Sequence, residues 1–175
     1  MSQEMYKMSL TRLLAAAALL LPGLALAHGP TRQKADEAIE IAAPPAQVWA
    51  IVKDFGGPHK WVPGIADTSL SGTTRILKLE GGGQVVEELE ALDDPNMSLR
   101  FRMKDPGPVP VNNFSAQIAV SAVGGGSLVR WRGAFYRAYL NNDPPPEQSD
   151  EAAVKAITGI FKGGLEKLKR VAEGK

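Results

Sequence analysis

The sequence predicts an α+β domain in which a curved antiparallel sheet of six to seven strands wraps around one long C-terminal helix. Apolar and polar residues alternate through most of residues 65–137, as they do in half-buried strands. From Ser149 onward the apolar residues recur at spacings of three and four, which is typical of an amphipathic helix. The strands are grouped together and the helices lie at the ends, so the βα alternation of parallel-sheet proteins is absent.

The first residues predict a cleavable export signal. Lys7 and Arg12 precede an apolar run and the small-x-small motif Ala25–Ala27, after which a signal peptidase cuts. The uninterrupted apolar run is nine residues long, against the roughly 20 that a membrane-spanning helix needs. We therefore expect residues 1–27 to be removed, residues 28–37 to form a flexible arm, and residues 38–173 to form a single domain in the periplasm, without a stable membrane anchor.

Composition excludes several functional classes. The chain has no cysteine, which removes thiol nucleophiles and thiolate metal sites. After signal cleavage, 18 basic and 18 acidic residues remain, so the one-sided positive charge typical of nucleic-acid binding is missing. The two glycine triplets, 81–83 and 124–126, lie between predicted strands and lack the strand–GxGxxG–helix context of a phosphate loop. We expect no cofactor.

The elements before the sheet are short. "AIEIAA" alternates as a first strand does, and Pro44 and Pro45 open the helix "PPAQVWAIVKDF", where a missing N–H costs nothing. Gly56 and Gly57 end this helix, and "GGPHKWVPG" predicts a second short helix with its turns.

The remaining elements form a meander and one covering helix. "TTRILKLEGGGQVVEELEAL", "MSLRFRMK" and the hairpin "FSAQIAVSAV…SLVRWRGAFYRAYL" alternate as strands, with glycine triplets as turns. The last segment predicts a helix of roughly 23 residues, capped by Ser149 or Asp150. Its internal glycines weaken it by about 1 kcal/mol each, so we expect its backbone to press against the sheet or a cavity. A curved sheet around a helix leaves space at its open end, which predicts an apolar cavity.

Three segments resemble the SRPBCC superfamily, the START-like, helix-grip fold shared by birch-pollen-type allergens and polyketide cyclases. "IEIAAPPAQVWAIVKDFGGPHKWVPGI" is similar to its first strand and helix pair, "GSLVRWRGAFY" to its penultimate-strand region and "FKGGLEKLKRV" to its terminal helix. The signal peptide, the arm "HGPTRQKADE" and the segment "FYRAYLNNDPPPEQSDEAAVKAITGIFKGGLEKLK" together resemble the periplasmic methanol-oxidation accessory proteins of the MxaD type.

The resemblance implies a non-catalytic accessory or hydrophobic-ligand-binding protein. Its partners would be a hydrophobic small molecule and a periplasmic quinoprotein dehydrogenase or c-type cytochrome. Two alternatives remain open: an enzyme of the polyketide cyclase/dehydrase or aromatase kind acting on a hydrophobic substrate, and a lipid or isoprenoid carrier. The superfamily supplies no single catalytic motif, so function must come from the cavity lining.

The histidines are the candidate residues for acid–base and metal chemistry. His59 could act as a general acid or base oriented by Asp54, or it could belong to a turn. His28, as a new N-terminus, offers an amine and an imidazole to copper with His59 as its one possible partner. The pairs Glu87–Glu88 and Asp93–Asp94 are interpreted as a solvated strand face and a turn.

The two faces of the strands predict two binding surfaces. On the outward face, Arg100, Arg102, Arg130 and Arg132 could form a positive patch for an acidic protein partner, or be balanced by Glu88 and Glu90. The inward face and the last helix supply the predicted cavity contacts: Trp61, Leu99, Phe101, Met103, Ile118, Trp131, Phe135 and Phe161.

Overall fold

The computed structural model describes residues 29–175 and confirms the predicted α+β architecture. Seven antiparallel strands form one sheet in the order β1-β7-β6-β5-β4-β3-β2. The strands are β1 Gln33–Ile41, β2 Ile65–Ser71, β3 Thr74–Leu79, β4 Gln84–Asp93, β5 Ser98–Asp105, β6 Val111–Val123 and β7 Gly126–Arg137. The helices are α1 Pro45–Val52 and α2 Asp150–Ala172, with 3-10 turns at Pro58–Lys60 and Pro146–Gln148.

Strand β1 begins earlier than the sequence predicts. Residues 33–37, assigned to the flexible arm, pair with β7 in register, from Gln33 opposite Phe135 onward. The inward row of this part of β1 includes the polar residues Gln33 and Glu37, so its alternation is not apparent from the sequence. Ala35 between them is buried, and the outward Asp36 forms an ion pair with Arg130. The described part of the arm is therefore short, and residue 28 lies outside the described residues, as does the predicted signal peptide.

Helix α1 and the first 3-10 turn follow β1, as expected. Pro44 precedes the first helical residue, Pro45, and the helix ends at Val52, a few residues before Gly56. The predicted second helix is a single 3-10 turn, Pro58–Lys60. Trp61 follows it directly, and its buried ring packs against Trp131 of β7.

Helix α2 covers the inner face of the sheet with the predicted apolar stripe. The Ser149 side chain accepts a hydrogen bond from Ala152 N at 3.1 Å, which confirms the predicted cap. Ile157, Phe161 and Leu168 are among the most deeply buried side chains of the protein. Among residues 29–175, no helix combines the length and the apolar composition needed to cross a membrane.

One helix glycine is required by packing. A Cβ atom on Gly164 would lie 2.8 Å from the Trp131 ring, so the helix backbone approaches the sheet closely at this point. Gly159 is different, because a Cβ atom there would meet nothing within 4 Å. The expected close approach of the helix backbone to the sheet is thus confirmed at Gly164. It does not explain the glycine at position 159.

Candidate functional site: an apolar cavity with a buried ion pair

An apolar cavity of about 150 Å³ lies between α2 and the strands β3, β4, β5 and β7. Its walls are mostly aliphatic and aromatic side chains, because the alternation of each strand directs one apolar row inward. A cavity of this volume holds one small aromatic ring. Most sites for drug-sized ligands measure about 300–1,000 Å³, so a larger ligand would have to extend beyond this space.

Two of the lining residues are charged. Arg75 on β3 and Glu87 on β4 lie directly opposite each other across the strand pair. The Arg75 Nε and Nη2 atoms both donate to Glu87 Oε2, at 2.7 and 2.6 Å. Both side chains are more than nine-tenths buried. This geometry makes a strong, charge-assisted contact at the wall of an otherwise apolar cavity.

The rest of the guanidinium is also held in place. Arg75 Nη1 donates to the carbonyl oxygen of Phe55 at 3.1 Å. The guanidinium carbon lies 3.9 Å from the Phe55 ring centroid and 4.9 Å from that of Phe101, within cation–π range. These contacts fix the plane of the group, so Arg75 is a rigid donor.

Burial raises the pKa of the Glu87 carboxyl above its ordinary value, and the charge and hydrogen bonds of Arg75 offset only part of this rise. The pair as a whole carries no net charge when both groups are ionised. An additional full charge beside it would be buried without compensation, which is costly. A neutral group that both accepts and donates hydrogen bonds, such as a hydroxyl, is the chemistry that this wall fits best.

The structure brings five of the eight predicted contact residues to the cavity wall: Trp61, Phe101, Met103, Trp131 and Phe161. Leu99, Ile118 and Phe135 are buried in the core and do not line the cavity. All eight face the inner side of the sheet, but the cavity occupies only the end near Trp61. Phe114 of β6, which the sequence prediction did not include, also lines it.

Aromatic rings form the wall beneath helix α2. The rings of Trp131 and Phe161 stack with centroids 4.3 Å apart, and Trp61 packs against Trp131 at 5.6 Å with its plane tilted by 59°. Gly164 permits this arrangement, since a side chain there would collide with Trp131. The wall is therefore closely packed and offers aromatic surface to the ring of a ligand.

A larger groove lies outside the cavity and shares part of its wall. This outer groove measures about 700 Å³ and is bounded by Pro63, the loop of residues 108–110 and the face of α2 that includes Gly159 and Gly163. Pro63, Val109 and Ile160 line both spaces. These three side chains form the wall that the two spaces share.

The predicted histidine site is not assembled. His59 lies in the 3-10 turn and is absent from the cavity wall. Asp54, expected to orient it, instead accepts a hydrogen bond from Lys60 Nζ at 3.0 Å. The copper prediction for His28 falls outside the described residues. Within residues 29–175, no three His, Asp or Glu side chains lie close enough together to hold a metal ion.

One of the acidic predictions is wrong. Glu88 lies on the outer face and pairs with Lys104, as a solvated face requires, but Glu87 points inward and is buried. Neighbouring strand residues face opposite sides, so the two glutamates could not share one environment. Asp93 ends β4 and Asp94 begins the turn that follows, and Asp94 accepts a hydrogen bond from Trp49 Nε1 at 2.6 Å.

These features define a helix-grip protein that encloses an apolar cavity. The family model "Polyketide cyclase / dehydrase and lipid transport" matches residues 32–173. The chain therefore belongs to this family, a member of the SRPBCC superfamily. A comparison with curated protein sequences finds no match.

Solved structures agree with the family assignment. The protein XoxI from Bacillus cereus is 28% identical, with a TM-score of 0.70 over 79% of this chain and 94% of its own. An uncharacterized protein from Bacillus thuringiensis is 27% identical, with a TM-score of 0.71 over 80% and 98% of the two chains. The ZhuI aromatase/cyclase from Streptomyces sp. R1128, at 13% identity, has a TM-score of 0.64 over 82% and 94%, a likeness of fold alone.

Proposed function

We propose that the protein binds a small hydrophobic molecule in the cavity and uses the Arg75–Glu87 pair to recognise a neutral polar group on it. The observation that carries this proposal is the buried ion pair on the wall of an apolar cavity. Sheet packing alone would be satisfied by apolar residues at both positions, and a buried pair is weak evidence for stability. An ion pair beside open space is better explained by recognition of a polar group on a ligand.

The volumes indicate how the ligand lies. The cavity takes a ring-sized group, and the outer groove is several times larger and shares Pro63, Val109 and Ile160 with it. A ligand longer than one ring would place its polar end at Arg75 and the remainder in the groove. This arrangement also suits a lipid or isoprenoid carrier, whose ligand would differ only in having a longer apolar part.

An enzymatic role is a second candidate, favoured by one observation. Glu87 is a buried carboxyl on a cavity wall with a raised pKa, which is the property of a general acid. Residues 29–175 place no second acid or base beside it on the wall, since His59 lies elsewhere. Non-catalytic binding is therefore the leading proposal, and a cyclase- or dehydrase-like reaction would depend on Glu87.

The biological setting is proposed from sequence resemblance. The signal-like residues 1–27 support export to the periplasm, and the likeness to MxaD-type proteins supports an accessory role in methanol oxidation. Export predicts that the mature protein, isolated from the periplasm, begins at His28. A mature protein that still begins with the first 27 residues would contradict this proposal.

Titration with three small ring compounds tests the binding proposal. Phenol offers a neutral hydroxyl, toluene has the same shape without one, and benzoate carries a charge. Trp61 and Trp131 line the cavity and Trp49 does not, so the three indole N–H signals in an NMR spectrum report on the site and on a remote position. We expect phenol to shift the Trp61 and Trp131 signals at lower concentration than toluene or benzoate. Equal affinity for phenol and toluene would contradict polar recognition, and shifts of Trp49 alone would contradict the site.

A further inference from the structure

The outer face of the sheet carries a second candidate site, a shallow depression of about 320 Å³. Its floor consists of small side chains and backbone from β6 and β7, including Ser115 and Ala134. Arg100 and Arg132 rise on either side of Gln117 in one row of the sheet, and Lys34 lies in the next row. We call this depression the basic trough.

The structure separates the basic residues of this face into two groups. Arg130 and Arg102 are already neutralised, by Asp36 and Glu90 respectively, each at 2.6 Å. The described residues provide no carboxylate within 4.0 Å of Lys34, Arg100 or Arg132. Arg132 instead donates a long hydrogen bond of 3.5 Å to Gln117.

The face has a local excess of positive charge. Six cations (Lys34, Arg100, Arg102, Lys104, Arg130 and Arg132) and three carboxylates (Asp36, Glu88 and Glu90) lie in and around the trough. This is an excess of three positive charges on a chain whose net charge is +1. The pKa of Asp36 is lowered, first by its hydrogen bond from Arg130 and also by the nearby charge of Arg132, so one carboxylate serves two guanidiniums. Arg132 therefore retains unmatched charge.

We infer that the basic trough docks an acidic segment of a protein partner, with Lys34, Arg100 and Arg132 receiving its carboxylates. The small floor leaves room for inserted Asp or Glu side chains between long cationic ones. Asp36 and Glu90 stand among the cations and would repel a uniform polyanion such as a nucleic acid or an anionic membrane. An acidic protein segment can match this pattern, because uncharged residues separate its carboxylates.

The trough is independent of the cavity. It lies on the opposite face of the same sheet, and Arg132 points outward while its neighbour Trp131 lines the cavity wall. A partner bound there would leave the groove beside α2 free. Docking and ligand binding can therefore be measured separately.

Two matched double variants test the assignment. Arg100→Gln with Arg132→Gln removes unpaired cations, and Lys53→Gln with Lys78→Gln removes the same charge from cations that are paired outside the trough. The probe is a fluorescein-labelled peptide that alternates Glu and Ser, and its Gln–Ser counterpart is the control. Binding is followed by NMR shifts of the backbone amides and by fluorescence anisotropy at low and high salt.

We expect the first double variant to weaken binding of the Glu–Ser peptide about five-fold or more and the second to change it less than about two-fold. Raising the salt concentration should weaken the wild-type complex, because the contacts are exposed. Equal losses in the two variants would show general charge attraction and overturn the assignment. Failure of the Glu–Ser peptide to bind at low salt, or preferential binding to phosphatidylglycerol vesicles, would overturn it as well.

Discussion

Replacing the buried ion pair tests its role more sharply than any other change in the chain. The perturbation is a cycle of three variants: Arg75→Met, Glu87→Leu and both together. Each single variant leaves one charge buried without its partner, which costs about 3–5 kcal/mol. A protein of this size loses about 2–4 °C of Tm per kcal/mol, so each single variant should melt roughly 10 °C lower.

The double variant should recover most of that loss. It buries no charge and replaces the pair with apolar side chains of similar volume, a change that is often neutral or stabilising. It also loses the hydrogen bond to the Phe55 carbonyl, about 1 kcal/mol, and the contacts with two aromatic rings, about 0.5–2 kcal/mol. We expect the double variant to lie within about 3 kcal/mol of wild type, with a coupling energy above about 3 kcal/mol.

Urea unfolding, followed by tryptophan fluorescence and circular dichroism, measures all four proteins. If the free energy lost by the double variant equals the sum of the losses of the two single variants, the losses are additive. That result would refute the reasoning that each charge is needed mainly because the opposite charge is buried beside it. The same samples test function, since the folded double variant should bind toluene at least as well as phenol. A double variant that keeps the wild-type preference for phenol would remove Arg75 and Glu87 from ligand recognition.

Three further predictions follow from single contacts. Gly159→Ala should raise the free energy of unfolding by about 1 kcal/mol, whereas Gly164→Ala should lower it through collision with Trp131; equal effects in urea unfolding would contradict the packing argument. Ser149→Ala should lower stability by about 1 kcal/mol through loss of the α2 cap, and an unchanged urea midpoint would contradict that role. Because the pKa of Glu87 is raised in the folded state, its contribution to stability is present below the ordinary glutamate pKa and is lost as the pH rises through the folded-state pKa. Wild type loses this contribution between acidic and neutral pH, and Glu87→Gln has no such carboxyl to titrate. The free energy of unfolding of Glu87→Gln, relative to wild type, should therefore improve from acidic to neutral pH. A difference that does not vary with pH would contradict the raised pKa.

Much of the fold could be predicted from periodicity. The α2 stripe and the inward rows of β5 and β7 follow directly from spacings of three to four and of two. The start of β1 could not be predicted in this way, because its outward residues are charged and its inward row includes Glu37. Its pairing with β7 depends on contacts between residues far apart in the chain, which local pattern does not specify.

The ion pair was missed although the sequence holds a signal for it. Arg75 lies on the same side of its strand as Leu77 and Leu79, and Glu87 lies on the same side of its strand as Val85. Opposite charges in the inward rows of adjacent strands predict a buried pair once the register is known. The register itself depends on the turn at Gly82 and Gly83, both with positive φ, and sequence alone does not give its length.

The cavity boundary could not be predicted either. Leu99 and Phe101 lie two residues apart on the same face of β5, yet only Phe101 lines the cavity. Leu99 is buried in the core instead, so contacts from elements far away in the chain decide which inward side chains border open space. The alternation along a strand shows which residues face inward, but it does not show where space remains between their side chains.

A crystal structure of the protein soaked with phenol tests the central claim most directly. We predict that the phenol hydroxyl lies within hydrogen-bonding distance of both the Arg75 guanidinium and the Glu87 carboxylate, with the ring against the aromatic wall beside Trp131. Phenol bound only in the outer groove, or in the cavity with its hydroxyl turned away from Arg75, would contradict the claim.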